Sequence, residues 1–216
     1  MSDIAKFIFG FKRFQKNYFC ADSTVFEDLR EEQKPRALLI GCSDSRVDPA
    51  LLTGCAPGDL FVVRNVANLV PPCESDGGHH GVSAAVEFAV RSLEVEHIIV
   101  LGHCNCGGIK ALLREGGGGH SGAFIDAWVD IAAKARDQVL KDLAGREPRV
   151  QERACEQAAI LISLENLLTF PWLRERVEAG KLYLHGWYFD FESGELFSYL
   201  PETQHFELLV PRCPQP

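Results

Sequence analysis

Three reactive side chains stand at alternate positions in the segment GCSDSRVDPA, residues 41–50. They are the thiol of Cys42, the carboxylate of Asp44 and the guanidinium of Arg46, and they directly follow the apolar run ALLI. Alternate residues of an extended chain point to the same side, so the spacing predicts that the three groups share one site. Burying such a trio without compensation is costly, which indicates a ligand that all three serve.

A second polar signature, GHCNCGG, follows another apolar run, and in it His103 and Cys106 stand three residues apart. That spacing lets both side chains reach one ion across a turn or a helix start. In an open parallel sheet, ligands collect beyond the carboxyl ends of the strands, so we expect this pair to meet Cys42 in space. Two thiolates and one imidazole with a free fourth position are typical of catalytic zinc, and soft sulfur disfavours magnesium and calcium.

Asp44 and Arg46 complete the predicted chemistry. Two thiolates leave zinc a weaker Lewis acid than three imidazoles would, so a nearby hydrogen-bond acceptor would help to orient a zinc-bound hydroxide. Asp44 can be that acceptor, and Arg46 can hold its carboxylate with two hydrogen bonds. A phosphatase-type loop is the alternative for Cys42 and Arg46, but the gap here is shorter than in such loops and an intervening carboxylate would repel phosphate.

Other cysteines and histidines receive structural interpretations. Cys104 could replace Cys106 as a ligand, but Cys106 directly precedes the two glycines that open a helix, so we expect Cys104 to be a packing residue. His79 and His80 are expected in a loop or at a helix start. The remaining histidines are expected to be structural: His97, His120, His185 and His205.

Buried strands and helices alternate along the chain. RALLIGC, GDLFVVRNVAN and EHIIVLGH are predicted as buried strands, and HGVSAAVEFAVRSL and CGGIKALLRE as the helices that follow the second and third. This order predicts an α/β fold with a mostly parallel central β-sheet flanked by helices. Two helices are predicted at 123–140 and 153–170, and KLYLHGWYFDFESGELFSYL is predicted as a C-terminal antiparallel hairpin with a turn at ESGE.

The N-terminal segment is predicted to form extended helices, one over residues 3–19 with an aromatic face and one over 23–32 capped by Asp22 or Ser23. The glycine-rich stretch 115–123 is interpreted as a connection inside one domain. We therefore expect a single domain, 1–216, made of a helical arm (1–34) and a zinc-binding core (35–216).

Composition narrows the possible partners. The 216 residues carry a net charge of −8, which argues against nucleic acid and against an anionic membrane surface. No apolar run approaches the roughly 20 residues of a membrane span, and Lys and Arg interrupt the N-terminal aromatic stretch, unlike a secretory signal. Eight scattered cysteines do not resemble a small disulfide scaffold, so a cytoplasmic protein is expected.

The two signatures together resemble those of the β-class carbonic anhydrases, and the similarity extends over about residues 30–200, including PGDLFVVRNVANLVPP and GVSAAVEFAV. The resemblance implies reversible hydration of CO₂ to bicarbonate and a proton. It implies one Zn²⁺ per subunit on Cys42, His103 and Cys106, with Asp44 and Arg46 as the catalytic pair. Asp44 would bind the metal only in a closed form of the site.

Within that family the chain is most similar to the plant-like kind, whose site stays open. Leu39 stands where the bicarbonate-regulated kind has tryptophan, and Arg64 matches both kinds. The resemblance also implies a set of substrate-binding positions, one of which, a glutamine, is supplied across the dimer interface; this set is Gln33, Phe61, Val66, Phe88 and Gly107. Phe88 departs from the plant pattern, which has tyrosine there, so one hydroxyl contact is lost.

The resemblance also implies a homodimer in which the N-terminal helices wrap around the neighbouring subunit, with a tetramer as the possible higher form. Phe7, Phe11 and Phe14 recur at helical spacing and suit that contact, although they could equally pack on their own domain. Two other functions are considered. One is a carbonyl sulfide or carbon disulfide hydrolase with the same zinc chemistry; the other is a non-catalytic zinc-bearing bicarbonate sensor.

Overall fold

A six-stranded sheet forms the centre of the computed structural model, which describes residues 3–20, 24–74, 76, 78–114 and 122–214. The strands lie in the order β2-β1-β3-β4-β5-β6, the first four parallel and the last two antiparallel. Their bounds are β1 Ala37–Cys42, β2 Leu60–Asn65, β3 His97–His103, β4 Tyr183–Asp190, β5 Glu195–Leu200 and β6 His205–Val210. The predicted fold class is confirmed, and β6 is a strand that the sequence pattern did not predict.

Helices flank the sheet at nearly the predicted places. Their bounds are α1 Asp3–Phe19, α2 Val25–Asp28, α3 Pro49–Thr53, α4 Gly81–Glu87, α5 Gly107–Leu113, α6 Ala123–Val129, α7 Ala133–Asp142, α8 Pro148–Leu167 and α9 Pro171–Glu178. The helix predicted over 123–140 is interrupted by a 3₁₀ turn at Asp130–Ala132, and α4 continues as a π-helical turn, Phe88–Ser92.

Of the N-terminal predictions, the bounds of the second helix need correction. Its predicted caps lie outside the described residues. The helix predicted over 23–32 is only the single turn Val25–Asp28, because the chain leaves helical geometry at Leu29. Its proposed caps, Asp22 and Ser23, lie outside the described residues, as does most of the glycine-rich stretch with His120. Thr24 precedes the turn without forming a side-chain cap.

Strand β1 explains why the core forms where it does. All six of its residues are buried, because β2 and β3 flank it and both faces of the sheet are covered. Leu38 and Ile40 face the larger cluster beneath α4 and α8, whereas Leu39 faces a smaller cluster that includes Trp187. A continuous apolar run is the pattern that a strand buried on both faces requires.

Helix α8 lies unusually close to the sheet. A Cβ at Gly102 on β3 would stand 2.7 Å from Ile160 Cδ1, and one at Gly186 on β4 would stand 3.0 Å from Ile160 Cγ2. The absence of side chains at these two positions therefore lets the helix backbone approach the strands. The approach brings Glu156, one turn before Ile160, toward the carboxyl ends of the strands.

Helix α1 makes its aromatic contacts with α2, through pairs such as Phe14–Phe26, whose ring centroids are 5.7 Å apart. Most of its other large apolar side chains are exposed: Ile4, Phe7, Ile8, Phe9, Phe11 and Phe19. Among the described residues, no helix combines the length and apolar character needed to cross a bilayer.

Candidate metal centre

The first ligand segment turns immediately after β1 ends at Cys42. The Val47 N–H donates to the Asp44 carbonyl at 3.1 Å, and the Arg46 N–H donates to Asp44 Oδ1 at 3.0 Å. The expectation of an extended chain that alternates through all three residues is therefore wrong. The side chains of Asp44 and Arg46 meet because the backbone folds into a turn that their own hydrogen bonds stabilise.

The second ligand segment also turns at the end of its strand. His103 is the last residue of β3, Asn105 adopts a left-handed conformation with φ 56°, and Cys106 is the residue before α5. This turn folds the Cys106 thiol back toward the strand end. The ligand atoms of Cys42, His103 and Cys106 consequently all lie within 4.8 Å of one another, and the two sulfurs are 3.9 Å apart.

The hydrogen bonding of His103 gives an independent indication that this donor set can bind a metal ion. His103 Nδ1 donates to the Cys104 carbonyl at 2.8 Å, which fixes the tautomer that leaves a lone pair on Nε2. His103 Nε2 is buried and has no hydrogen-bond partner among the described residues. An unpartnered buried nitrogen costs about 1–3 kcal/mol, so its position within 4.8 Å of two thiols indicates a metal-ligand atom. Two sulfurs and one imidazole nitrogen suit zinc.

The two ligand thiols differ in acidity. A hydrogen bond from the Cys106 thiol, helped by His103, lowers the pKa of Cys42 to about 4 although burial opposes it. The same hydrogen bond and burial raise the pKa of Cys106. The hydrogen bond between the two sulfurs thus favours the thiolate form of Cys42.

Cys104 lies apart from this cluster. Its thiol packs in the large core beneath α8, and burial raises its pKa to about 11. A thiol with that pKa remains protonated at neutral pH and behaves as a small apolar side chain. These observations agree with a packing role for Cys104.

A two-pronged ion pair stands beside the ligands. Arg46 Nε donates to Asp44 Oδ1 at 2.9 Å and Arg46 Nη2 donates to Asp44 Oδ2 at 2.7 Å. These hydrogen bonds hold the pKa of the Asp44 carboxyl well below its usual range. Asp44 Oδ2 is 3.9 Å from His103 Nε2, so the carboxylate faces the unpartnered nitrogen without touching it.

Further contacts hold Arg46 and the loop in place. The Arg46 guanidinium donates to the Asn105 carbonyl at 3.2 Å and lies over the Phe191 ring, 4.4 Å from its centroid. Arg64 clamps the loop from β2, donating to the carbonyls of Cys42, Asp44 and Val47 at 3.0, 2.7 and 2.9 Å. Arg64 thus holds the backbone of the loop, a role its position in the sequence does not reveal.

The expected substrate positions fall into two groups. Gly107 directly follows Cys106. Val66, the residue after β2, lies against Gly108 in the first turn of α5. Phe61 instead pairs with Leu38, four residues before the end of β2, which places it about 13 Å back along the strand. Phe88 packs on Phe61 with ring centroids 5.8 Å apart.

Gln33 also lies far from the metal ligands of its own chain. It lines a groove with Arg36 and Glu96, at the amino ends of β1 and β3. The described residues of a single chain therefore bring Val66 and Gly107 to the ligand cluster, but not Gln33, Phe61 or Phe88.

The remaining histidines make local contacts. His80 pairs with Asp76 at 2.6 Å in the loop before α4, and His97 and His185 contact each other at 3.1 Å on adjacent strands. His205 begins β6. None of these lies in the Cys42, His103 and Cys106 cluster.

Sequence reasoning missed two residues next to the site. Glu156 is buried on α8, where its carboxylate accepts hydrogen bonds from the Cys106 N–H at 3.0 Å and the Tyr188 hydroxyl at 2.8 Å. Burial raises the pKa of Glu156. The signal was present, because Glu156 shares an apolar helical stripe with Ala159, Ile160 and Ser163. Phe191, in the turn after β4, gave no comparable signal.

A mostly parallel sheet that brings a Cys₂His set and a carboxylate–guanidinium pair to its carboxyl edge places the chain among the α/β proteins whose ligand sites lie beyond the carboxyl ends of the strands. The family model described as "Carbonic anhydrase" matches residues 37–196. The chain belongs to the carbonic anhydrase family, and its relatives are of the β class.

Three relatives illustrate the match. Beta carbonic anhydrase 5, chloroplastic, from Arabidopsis thaliana is 44% identical over 84% of this chain and 60% of its own length. The solved β-carbonic anhydrase CcaA is 36% identical with a TM-score of 0.90, over 96% of this chain and all of that chain. A tetrameric β-carbonic anhydrase from Sordaria macrospora is 31% identical with a TM-score of 0.73, over 90% of this chain and 92% of its own.

Proposed function

We propose that this protein catalyses the reversible hydration of CO₂ to bicarbonate and a proton. The observation that carries the proposal is the convergence of Cys42, His103 and Cys106 within 4.8 Å, next to the Asp44–Arg46 pair. Membership of the carbonic anhydrase family supports the same reaction. The chain spans 60% of the length of its chloroplastic relative, so the site rather than that relative's name carries the argument.

The resident metal that best fits these donors is Zn²⁺, one per chain. Cys42 and Cys106 would provide thiolate sulfur, and His103 would provide Nε2. When bound, the metal acts as a Lewis acid that activates a water molecule for attack on CO₂. Three protein ligands, rather than four, are typical of catalytic zinc sites.

Asp44 is the residue proposed to orient the reacting water, by accepting a hydrogen bond from it. Oδ1 accepts from both the backbone N–H and Nε of Arg46, whereas Oδ2 accepts only from Nη2 and keeps a further lone pair. Oδ2 is the oxygen that faces His103 Nε2, so it is the one placed to accept. Because Arg46 holds Asp44 ionised and turned aside, the arrangement supports an open site in which Asp44 is not a metal ligand.

Val66 and Gly107 are the proposed substrate contacts within the same chain. Val66 offers an apolar surface, which suits an uncharged linear molecule. Apart from the adjacent residues and the backbone of α5, no atom of the described residues lies within 4 Å of the place where a Gly107 Cβ would stand, so the position beside Cys106 leaves room for a small substrate.

Gln33, Phe61 and Phe88 are proposed to act in the site of a neighbouring subunit. Gln33 and Phe61 lie near the amino ends of β1 and β2, and Phe88 packs on Phe61, so all three are far from the metal ligands of their own chain and a second copy could bring them to a metal. This supports a homodimer, with a tetramer as the higher form; the relatives from Sordaria macrospora are described as tetrameric. The proposed domain organisation is an arm (1–34) on one core (35–216).

We propose a cytoplasmic location from the redox state of the cysteines. All eight are free thiols, as expected in a reducing compartment. One relative carries the description chloroplastic, so imaging of a fluorescent fusion in the source cell is the direct check.

The test of the activity is stopped-flow CO₂ hydration with a pH indicator. Purified protein should accelerate the approach to equilibrium, a strong zinc chelator should abolish the acceleration, and added Zn²⁺ should restore it. Carbonyl sulfide in a parallel assay is the matched control for substrate choice. Hydration at the uncatalysed rate by fully zinc-loaded protein would contradict the proposal.

A further inference from the structure

The buried carboxylate of Glu156 has no part in the proposed reaction, yet it reaches a metal ligand. Glu156 is 4% exposed and comes from α8, fifty positions away from Cys106 in the chain. One oxygen accepts from the Cys106 backbone N–H at 3.0 Å and the other accepts from the Tyr188 hydroxyl at 2.8 Å. Both carboxylate oxygens of Glu156 are therefore hydrogen-bonded, one to the backbone of a proposed metal-ligand residue and one to a side chain on strand β4.

Burying the Glu156 carboxylate costs free energy, which indicates that this side chain does more than fill the core. Burying a carboxylate requires partners for both of its oxygens, and a chain that only needed a filled core would place an apolar side chain there. Glu156 lines a cavity of about 40 Å³ together with Tyr188, Arg153 and Asp190.

The backbone that Glu156 holds is the one that aims the Cys106 thiol. Cys106 lies between Asn105, with its left-handed φ of 56°, and the first turn of α5, which Cys106 caps without any side-chain hydrogen bond. Anchoring its N–H fixes the peptide on the amino side and hence the direction of the Cα–Cβ bond. That direction puts the Cys106 sulfur 3.9 Å from the sulfur of Cys42.

We propose that Glu156 is a positioning residue for the metal centre: its carboxylate, oriented by Tyr188, fixes the Cys106 backbone and so holds the Cys106 sulfur in the geometry that binds the metal. The proposal rests on the proposed metal site. Glu156 has no contact with substrate in this proposal. Replacing it should therefore change the metal affinity of the protein even when no substrate is present.

The test measures zinc affinity by competition with a chelator, and thiolate-to-metal charge-transfer absorption after Co²⁺ substitution. Glu156→Gln keeps the size and an acceptor for the Cys106 N–H but removes the charge. Tyr188→Phe removes only the donor that orients the carboxylate. Glu152→Gln is the matched control, because Glu152 lies one turn earlier on α8 and lines the same cavity but contacts Lys110, at 3.5 Å, rather than Cys106.

We expect Glu156→Gln to weaken zinc binding about ten-fold or more and to alter the Co²⁺ spectrum, since changing the partner of a ligand typically costs 10–100-fold in affinity. Tyr188→Phe should show a smaller loss in the same direction, and Glu152→Gln should match wild type. Wild-type affinity and spectrum in Glu156→Gln would overturn the proposal. Should Glu156→Gln fail to fold, wild-type values in Tyr188→Phe would overturn it instead.

A Cys106→Ser variant separates this proposal from the proposed function. If wild type binds one zinc tightly and Cys106→Ser does not, the metal site stands and the Glu156 result decides the inference alone. If wild type and Cys106→Ser bind zinc equally weakly, the metal site itself is wrong and both proposals fall.

Discussion

At the scale of single residues, Asp44 carries the prediction that most directly concerns catalysis. Asp44→Asn keeps the size of the side chain and one acceptor oxygen, but it loses the charge that pairs with Arg46 and that orients the reacting water. We expect kcat/KM for CO₂ hydration to fall by about 10²-fold or more, the usual range for removing an acid–base group. Stopped-flow rates check this result.

The zinc content of Asp44→Asn is the control for that experiment. Asp44 is not among the three ligands of the cluster, so the variant should retain one zinc per chain by elemental analysis. Full activity in a zinc-loaded variant would show that Asp44 has no role in catalysis, whereas loss of zinc would show that it belongs to the ligand set.

The ion pair also predicts a pH dependence of stability. Arg46 holds the pKa of Asp44 below its unfolded value of about 3.9, so the stabilising effect is complete above that value and is lost as the pH falls further. Metal-free wild type should therefore exceed Asp44→Asn in the free energy of unfolding by a constant amount between about pH 6 and 8. The difference should shrink below about pH 4.

Urea unfolding at a series of pH values measures that difference, and Arg46→Gln supplies the matched background. Without the guanidinium, the Asp44 pKa should return toward its ordinary range. The pH-dependent part of the stability difference that Asp44→Asn causes should then disappear. A difference that persists unchanged in the Arg46→Gln background would assign the effect to another partner.

At the scale of elements, the metal centre depends on how closely α5 approaches the turn after β2. A Cβ at Gly108 would stand 2.6 Å from Val66 Cγ1 and 2.9 Å from the Cβ of Ala67, which is fully buried and fixed to the backbone. Gly108→Ala should therefore displace α5 and destabilise the protein by about 1–3 kcal/mol, the usual cost of overpacking. Urea unfolding of the zinc-free protein measures this cost.

The adjacent glycine provides the control. Apart from the adjacent residues and the backbone of α5, no part of the described chain lies within 4 Å of a Cβ at Gly107, so Gly107→Ala should be neutral or stabilise the protein by about 0.5–1 kcal/mol through reduced backbone entropy. Equal changes in the free energy of unfolding for Gly108→Ala and Gly107→Ala would mean that the close packing of α5 on Val66 and Ala67 is not the reason why position 108 requires glycine.

The same elements show what the sequence could and could not predict. Cys42, His103 and Cys106 could be found because each follows a strand recognisable by its apolar run, and parallel strands bring their carboxyl ends together. The turn at Asp44 and the contact from Glu156 could not, because both depend on backbone geometry or on a helix fifty residues away. Strand β6 was missed because its residues are half-exposed at the sheet edge and lack a clear alternation.

At the scale of the whole molecule, helix α1 exposes an apolar surface that the described part of the chain does not cover. Phe7 and Phe9 are 69% and 66% exposed, and Phe11 is similarly open. An aromatic surface of this size is typical of an interface. Under the proposal that Gln33, Phe61 and Phe88 act in the site of a neighbouring subunit, a contact between subunits that covers α1 is expected also to complete the site.

Removing α1 should therefore change both mass and activity. We expect the full chain to sediment as a dimer or larger, and a chain lacking residues 1–20 to sediment as a smaller species with reduced CO₂ hydration. A double variant, Phe7→Gln with Phe11→Gln, should act in the same direction. Lys6→Gln with Lys12→Gln is the control, since it alters charge on the same helix while leaving the aromatic side chains intact. An unchanged dimer after deletion would place the interface elsewhere on the molecule.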